Sequence, residues 1–218
     1  MKVYLNNDQT IYLNINKPSG KMAGMLSLST NKRQNENCKK LSQDPTLICS
    51  KCYVEKSLKM FEKLEPCLAH NQELLTTRLL TQEEINHLDF LKNTLYFRFE
   101  SFGDLNNDVQ LTNYMNIAKT FKTCNFALWT KHFNLLLTWL KNHKAPKNIR
   151  LVISSPKING SINNMLLDIF KKYHKNTISF NVTSDKNDPS INCGGRKCIN
   201  CLNCYKKGVA NNVLELLK

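Results

Sequence analysis

The residues best suited to chemistry are four cysteines within twelve positions near the end of the chain, in the run INCGGRKCINCLNCYKK. Their spacing, C-x4-C-x2-C-x2-C, supplies the four thiolate ligands of one metal centre from a single short segment. Cysteines at successive three-residue steps are typical of iron–sulfur clusters, whereas structural zinc sites usually take two C-x2-C pairs from separated turns. We therefore expect a 4Fe-4S cluster here, with zinc as the alternative. The four residues are Cys193, Cys198, Cys201 and Cys204.

A second cysteine group lies near the start of the chain and has the spacing C-x10-C-x2-C, formed by Cys38, Cys49 and Cys52. If this group forms a site of its own, its three ligands leave two interpretations. Either a distant thiol such as Cys67 completes the site, or one metal position stays open to solvent or substrate, which is the reactive arrangement. A third interpretation is one structural site shared between the two groups, because a four-coordinate metal needs only four of these seven cysteines. Cys124 stands alone in an apolar segment and is typical of a core residue.

The chain has 218 residues, of which 31 are Lys or Arg and 17 are Asp or Glu, so its net charge is +14. Such an excess attracts polyanions, and nucleic acid is a candidate partner. No segment has the roughly eighteen consecutive apolar residues that a membrane span needs, and the first residues lack the apolar core of a signal peptide. We therefore expect no membrane association and a reducing cytoplasm, where clustered cysteines favour metal or redox chemistry over disulfides.

The order of apolar and polar residues predicts an α/β fold that positions these cysteines. Short strands at the start precede a polar loop over residues 30–48, and helices follow, one of them opened by a capping box of Thr81 and Glu84. Alternating strands and helices then predict a partial (βα) barrel or an open parallel sheet with flanking helices. The predicted strands are 95–99, 125–130, 149–154 and 177–182, and the helices between them are 108–121, 132–142 and 162–173.

The end of the chain is predicted to be a C-terminal cysteine-rich metal-binding tail that lies against the sheet, closed by a short helix over residues 209–218. We find no internal repeat and no flexible linker. The simplest partition is an α/β domain over residues 1–183, which carries the first cysteine group, and a cluster-binding tail over residues 184–218, packed on the same domain.

Charged residues also occur within or just after the predicted strands, where burial is costly unless the charge is paired or functional. The segment FRFESFGD puts Arg98 and Glu100 on one face of a strand, with Asp104 in the loop beyond it. An ion pair between Arg98 and Glu100 is the simpler interpretation, and contact with substrate or cluster is the functional one. Lys131 ends the next strand and lies on the same side as Asp104 if the sheet is parallel. These four residues are candidate substrate-binding residues.

Five segments together carry a resemblance to a known family. They are GKMAGMLSLS, the C-x2-C-Tyr run ending at Tyr53, FRFESFGD, ALWTK at residues 127–131 and CGGRKCINCLNCYKKGV. They span about residues 20–208 and resemble the phage "gene product eighty-eight" family, which itself looks like shortened relatives of radical-SAM enzymes. The resemblance implies iron–sulfur binding on a partial α/β barrel. It also implies a viral protein that acts in the host cytoplasm during infection, on an unknown substrate or host protein.

The chain departs from the radical-SAM pattern in two ways. Radical-SAM enzymes usually carry C-x3-C-x2-C with an aromatic residue before the last cysteine, whereas here the first gap is ten residues and Lys51 precedes Cys52. The glycine-rich segment that usually holds the cofactor is not evident, so we do not predict use of S-adenosylmethionine. We expect an iron–sulfur protein with redox or radical chemistry. The alternative is a zinc-stabilised nucleic-acid-binding or regulatory module without catalysis.

Overall fold

The framework of the protein is one eight-stranded sheet in which the strands follow each other in chain order. The structure, a computed structural model, describes residues 1–217. The strands are β1 (Lys2–Tyr4), β2 (Tyr12–Asn16), β3 (Leu26–Leu28), β4 (Tyr96–Phe99), β5 (Asn125–Thr130), β6 (Ile149–Ile158), β7 (Thr177–Thr183) and β8 (Asn212–Leu216). The first three are antiparallel neighbours, and every pairing from β3 to β8 is parallel. Since β1 and β8 are the edges, the sheet is open and the fold is mixed α/β.

The helices are α1 (Glu36–Gln43), α2 (Tyr53–Met60), α3 (Leu64–Thr77), α4 (Gln82–Asn86), α5 (Asp108–Thr120), α6 (Phe133–Asn142), α7 (Asn164–Tyr173) and α8 (Cys198–Cys201). Helices α3 to α7 cover one face of this sheet, which we call the helix face. Alternate strand residues such as Phe97, Phe99 and Phe126 pack with buried residues of α3 to α7 in the main core. No helix within residues 1–217 has both the length and the apolar character needed to cross a membrane.

The opposite face, which we call the tail face, is covered by the cysteine-rich segment and by the residues before β3. Ala127, Val152 and Ile178, one from each of three neighbouring strands, pack against Cys204 and Tyr205. Met25 and Val213 complete this second core. The cysteine-rich segment therefore lies directly on the sheet.

The predicted alternation of strands and helices between residues 95 and 183 is confirmed, with bounds that agree within two residues except at β6, which extends to Ile158. The capping box before α4 is also confirmed, because Glu84 N donates to Thr81 Oγ1 at 3.2 Å and Thr81 N donates to Glu84 Oε2 at 2.8 Å. These elements follow directly from local sequence signals.

Two predictions about local structure are wrong. The polar loop expected over residues 30–48 contains α1, a helix with no buried residue that begins after the N-cap Asn35. The helix expected over residues 209–218 is instead strand β8 up to Leu216, and its last residue, Lys218, lies outside the described residues. Parallel pairing with β7 overrides the helical preference of that segment.

Candidate metal centres

The tail thiols, by which we mean Cys193, Cys198, Cys201 and Cys204, lie in the connection between β7 and β8. Cys193 docks on the outer edge of β8, where its amide donates to the carbonyl of Leu214 at 3.0 Å. Asn192 strengthens this contact, since its side chain accepts from Leu214 N and donates to the carbonyl of Asn212, both at 3.0 Å. The segment thus begins as an added strand on an otherwise free sheet edge. Cys198 and Cys201 begin and end α8.

Three basic side chains from different elements surround the tail thiols. Lys21 Nζ donates to Cys193 Sγ at 3.0 Å and to Glu215 Oε1 at 2.5 Å. Arg98 lies within electrostatic reach of Cys204 and Cys198. Arg150, fully buried in β6, donates to the carbonyls of Lys206 and Ala210 and so holds the segment after the thiols on the tail face.

The four tail thiols are close enough to influence one another. Burial raises the pKa of Cys204, and the charges of the other three tail thiols add to the rise, while Arg98 opposes it. Burial likewise raises the pKa of Cys193 and Cys198, and Lys21 opposes both rises. Such thiols remain protonated at neutral pH unless a metal ion binds and replaces the proton.

The loop thiols, by which we mean Cys38, Cys49 and Cys52, lie between β3 and α2. Cys38 is in the first turn of α1, where its amide donates to the N-cap Asn35 Oδ1 at 3.0 Å. Asn35 Nδ2 also donates to the carbonyls of Asp104 and Leu105, at 2.9 and 3.1 Å, and so ties α1 to the loop after β4. Cys49 lies in a 3-10 turn against the extension of β6, and Cys52 is the residue just before α2.

Carboxylates and lysines, rather than arginines, surround the loop thiols. Burial raises the pKa of Cys38, the charges of Asp104, Cys49 and Glu100 raise it further, and Lys131 lowers it. Burial also raises the pKa of Cys49, whereas the charges of Lys131 and Lys32 lower it. Asp104 and Lys131, both predicted as site residues, are therefore neighbours of this group.

The segment FRFESFGD forms the tight loop that supports this group. Glu100 adopts φ +59° and buries its carboxyl group, which accepts hydrogen bonds from Thr30, Gln110 and Tyr114. Burial raises the pKa of Glu100 to about 7, although the bonds from Tyr114 and Thr30 lower it. Gly103 has no room for a side chain, because a Cβ atom would lie 2.6 Å from Glu100 Oε2 and from the carbonyl oxygen of Thr30.

Asp104 uses both carboxylate oxygens to fasten this loop to its neighbours. Its Oδ1 accepts from Thr130 Oγ1 at 2.5 Å and from Leu105 N at 2.7 Å, and its Oδ2 accepts from Lys131 N at 2.9 Å. The side chain is buried. Asp104 therefore holds the ends of β4 and β5 in register beside the loop thiols.

The structure separates Arg98 from the carboxyl group of Glu100, so the expected ion pair does not form. Strand β4 ends at Phe99, and the left-handed backbone of Glu100 turns its side chain toward α5. Arg98 stays on the tail face, 3.8 Å from the centre of the Trp129 ring, and its Nε donates only to the backbone oxygen of Glu100, at 3.2 Å.

Arg98 lies close to the end of each thiol group. Each group ends in the dipeptide Cys-Tyr, and both tyrosines, Tyr205 and Tyr53, lie within electrostatic reach of Arg98. Tyr205 is buried beside Arg98, and its hydroxyl proton has no acceptor. More than half of Tyr53 is exposed, but its hydroxyl donates to the carbonyl of Ser101. Tyr53 and the tail thiols Cys198 and Cys204 therefore all lie near Arg98.

The donor chemistry of both groups suits a metal that prefers sulfur, because all nine cysteines are free thiols. Within residues 1–217, however, no three His, Cys, Asp or Glu side chains are arranged as ligands around one point. The thiols of each group are neighbours in the fold, and binding requires their side chains to turn toward a common centre. The isolated cysteines lie elsewhere: Cys67 on α3, and Cys124 in the main core, where burial raises its pKa to about 12.

Sequence reasoning missed several residues that position the thiols. Arg150 gave the same signal as Arg98, a charge inside an apolar strand. Asn35 lies three residues before Cys38, which is the spacing between an N-cap side chain and the backbone amide that donates to it. Lys21 gave no local signal, since its partners Cys193 and Glu215 are distant in sequence.

A family model described as gene product 88 matches residues 4–214. No curated protein and no solved structure matches the chain. The match covers almost the whole chain, including both thiol groups and the FRFESFGD segment. This chain therefore belongs to the gene product 88 family.

Proposed function

We propose that this protein binds iron–sulfur clusters, one through the tail thiols and one through the loop thiols. The observation that carries the proposal is the association of four free, mutually close thiols with Lys21, Arg98 and Arg150. A centre with four thiolates is negatively charged, and a buried negative charge needs compensating cations. The spacing of the tail cysteines favours iron–sulfur over zinc.

The chain's own residues prepare the tail thiols for this role. Lys21 donates to the sulfur of Cys193, which favours the thiolate that a metal requires. Arg150 and Asn192 fix the segment on either side of the thiols to the sheet. These contacts limit the number of conformations that the ligands must give up on binding.

The loop thiols are proposed to hold a second cluster with one open position. Asp104, the carboxylate with the largest electrostatic effect on Cys38, already has both oxygens engaged by Thr130, Leu105 and Lys131, which argues against its acting as the fourth ligand. A cluster with an open position supplies redox or radical chemistry to a bound substrate. The strands in chain order, with helices on one face, support a likeness to a partial (βα) barrel. S-adenosylmethionine is not part of the proposal.

Membership of the gene product 88 family supports a phage protein, and we propose that it acts in the cytoplasm of the infected cell. Its reaction partner is then a small substrate or a host protein. The abundance of free thiols agrees with a reducing compartment.

Anaerobic purification followed by electron paramagnetic resonance and Mössbauer spectroscopy tests the proposal. We expect signals of two clusters, of which the Cys201→Ser variant loses one and the Cys49→Ser variant loses the other. Cys67→Ser, which removes an isolated thiol on α3, is the matched control and keeps both. A protein that contains neither iron nor sulfide would refute the proposal.

The second candidate function is a zinc-stabilised nucleic-acid-binding or regulatory module, favoured by the net charge of +14. Binding of a single-stranded oligonucleotide at two salt concentrations tests it. A nucleic-acid-binding protein loses affinity steeply as salt rises, because counterions are released from the phosphates on binding. Tight, salt-dependent binding by a zinc-containing protein would favour this candidate over the first.

A further inference from the structure

Arg98 has features that the metal proposal does not explain. We propose that Arg98 binds the carboxylate or phosphate group of a small anionic ligand on the tail face, beside the tail thiols. The proposal does not depend on which metal the thiols hold, and it goes beyond the function proposed above.

The guanidinium group of Arg98 is held in one orientation by uncharged contacts. It stacks 3.8 Å from the centre of the Trp129 ring, its Nε donates to the Glu100 carbonyl at 3.2 Å, and its Nη1 donates to Met22 Sδ at 3.3 Å. A stacked, immobilised guanidinium loses little further freedom when it binds an oxyanion. The group is therefore pre-organised for a forked hydrogen bond.

The charge of Arg98 is not compensated by a carboxylate. None of the ion pairs within residues 1–217 includes Arg98. By contrast, Arg33 pairs with Glu55 and Glu65, and Arg78 pairs with Glu84. A half-buried arginine without a carboxylate is an attractive position for an external anion.

The hydroxyl of Tyr205 points to the same place. It is buried beside the guanidinium group of Arg98, and its own proton has no acceptor. An oxyanion on the guanidinium group is the kind of acceptor that this hydroxyl needs. Trp129 packs against Tyr205 with ring centres 5.5 Å apart, so an aromatic wall lies beside the charge. The ligand is thus a small molecule with one oxyanion.

The fluorescence of Trp129 reports binding at this position. Trp139→Phe removes the other of the two tryptophans, so the variant has a single reporter beneath Arg98. We would titrate this protein, as purified anaerobically, with inorganic phosphate and with acetate at constant ionic strength, and measure its metal content in the same samples. We expect a saturable fluorescence change with one or both anions and a dissociation constant of about 1 mM.

Matched variants separate this proposal from its alternatives. Arg98→Gln should weaken binding by at least about tenfold, and Arg33→Gln, which removes an exposed arginine, should leave it unchanged. If circular dichroism shows that Arg98→Gln is unfolded, Arg98→Lys replaces it and should weaken binding several-fold, because it keeps the charge but not the fork.

Two results would overturn the proposal. One is the absence of a saturable change, or equal anion affinity in the protein with and without Arg98. The other is a loss of metal from the Arg98 variants with their anion affinity intact, which would leave Arg98 only its role as a counter-cation of the tail thiols. Anion binding by a protein that contains no iron would support this inference while refuting the proposed clusters.

Discussion

The two thiol groups resemble each other in sequence and differ in their surroundings. Each ends in Cys-Tyr, and both tyrosines lie within electrostatic reach of Arg98. The four tail thiols lie among the cations Lys21, Arg98 and Arg150. The three loop thiols lie near the carboxylates of Asp104 and Glu100, which raise the pKa of Cys38. Lys131 and Lys32 lower the pKa of Cys49. The cationic surroundings suit a closed centre of four thiolates. The more acidic surroundings disfavour further negative charge and suit a centre with one open position.

The groups also differ in what supports them. Cys204 is part of the second core on the sheet, and Cys193 and Cys198 pack against that core. The loop thiols lie in short turns, where the Cys38 amide donates to Asn35 Oδ1 and Asn35 Nδ2 donates to the carbonyl of Asp104. We call the proposed metal centre of the tail thiols the tail centre and that of the loop thiols the loop centre. We expect loss of the tail centre to affect stability more than loss of the loop centre.

The largest effect is expected from removing one ligand of each group. Cys204→Ser should abolish the tail centre and lower the melting temperature by about 10 °C or more, because Cys204 is buried in the core of the tail face. Cys52→Ser should abolish the loop centre with a much smaller change in melting temperature. Metal analysis and thermal denaturation measure both effects, and equal destabilisation by the two variants would contradict the comparison.

The next largest effect concerns the FRFESFGD segment, which forms the tight turn beside the loop thiols. Gly103→Ala should lower the free energy of unfolding by about 3 kcal/mol, because the new Cβ atom meets Glu100 and the backbone of Thr30. Gly194→Ala is the matched control in the tail, since nothing lies within 4 Å of its Cβ position and its φ is not positive. Chemical denaturation should show almost no effect for the control. Similar losses in both variants would contradict the structure of this loop.

The pH dependence of stability should reveal Glu100. Its pKa is raised to about 7 in the folded protein by burial, so the folded state retains a proton that the unfolded state releases near pH 4.5. The contribution of Glu100 is therefore complete below about pH 4.5 and falls by about 3 kcal/mol as the pH rises to about 7. Glu100→Gln should remove this slope. Denaturant titrations of both proteins between pH 5 and pH 7 make the comparison, and parallel curves would contradict it.

A smaller effect is expected from the N-cap that positions Cys38. Asn35→Ala should cost about 2 kcal/mol, because it removes the cap of α1 and two buried hydrogen bonds to the loop after β4. Metal should be lost from the loop thiols and retained by the tail thiols. Loss from both groups would show that the two centres are not independent. Asn163→Ala, which removes the cap of the distant helix α7, is the control that keeps both.

Much of the fold was predictable because its signals are local. The alternation of apolar strands and amphipathic helices between residues 95 and 183 and the capping box of Thr81 and Glu84 depend on neighbouring residues. Helix α1 was missed because it buries no residue and so lacks an apolar stripe. Strand β8 was missed because its pairing with β7 is a distant contact. For β8, a tertiary contact therefore determined a secondary structure that local propensity did not predict.

In the candidate sites too, features with a local sequence signal were predicted and features that depend on distant contacts were not. Spacing alone identified both cysteine groups, and the order of the strands placed Asp104 and Lys131 beside the loop thiols. The separation of Arg98 from Glu100 was not predictable, because it depends on the left-handed backbone of one residue. The contacts of Lys21 and Arg150 join residues more than fifty positions apart, so no local pattern reports them.

The most direct test of the account is the amount of iron and acid-labile sulfide in anaerobically prepared protein, compared with that in Cys204→Ser. We expect equal amounts of iron and sulfide in the native chain, and a loss of about four of each in the variant. Zinc without sulfide, or iron and sulfide that do not change when Cys204 is replaced, would contradict the central claim that the tail thiols hold an iron–sulfur cluster.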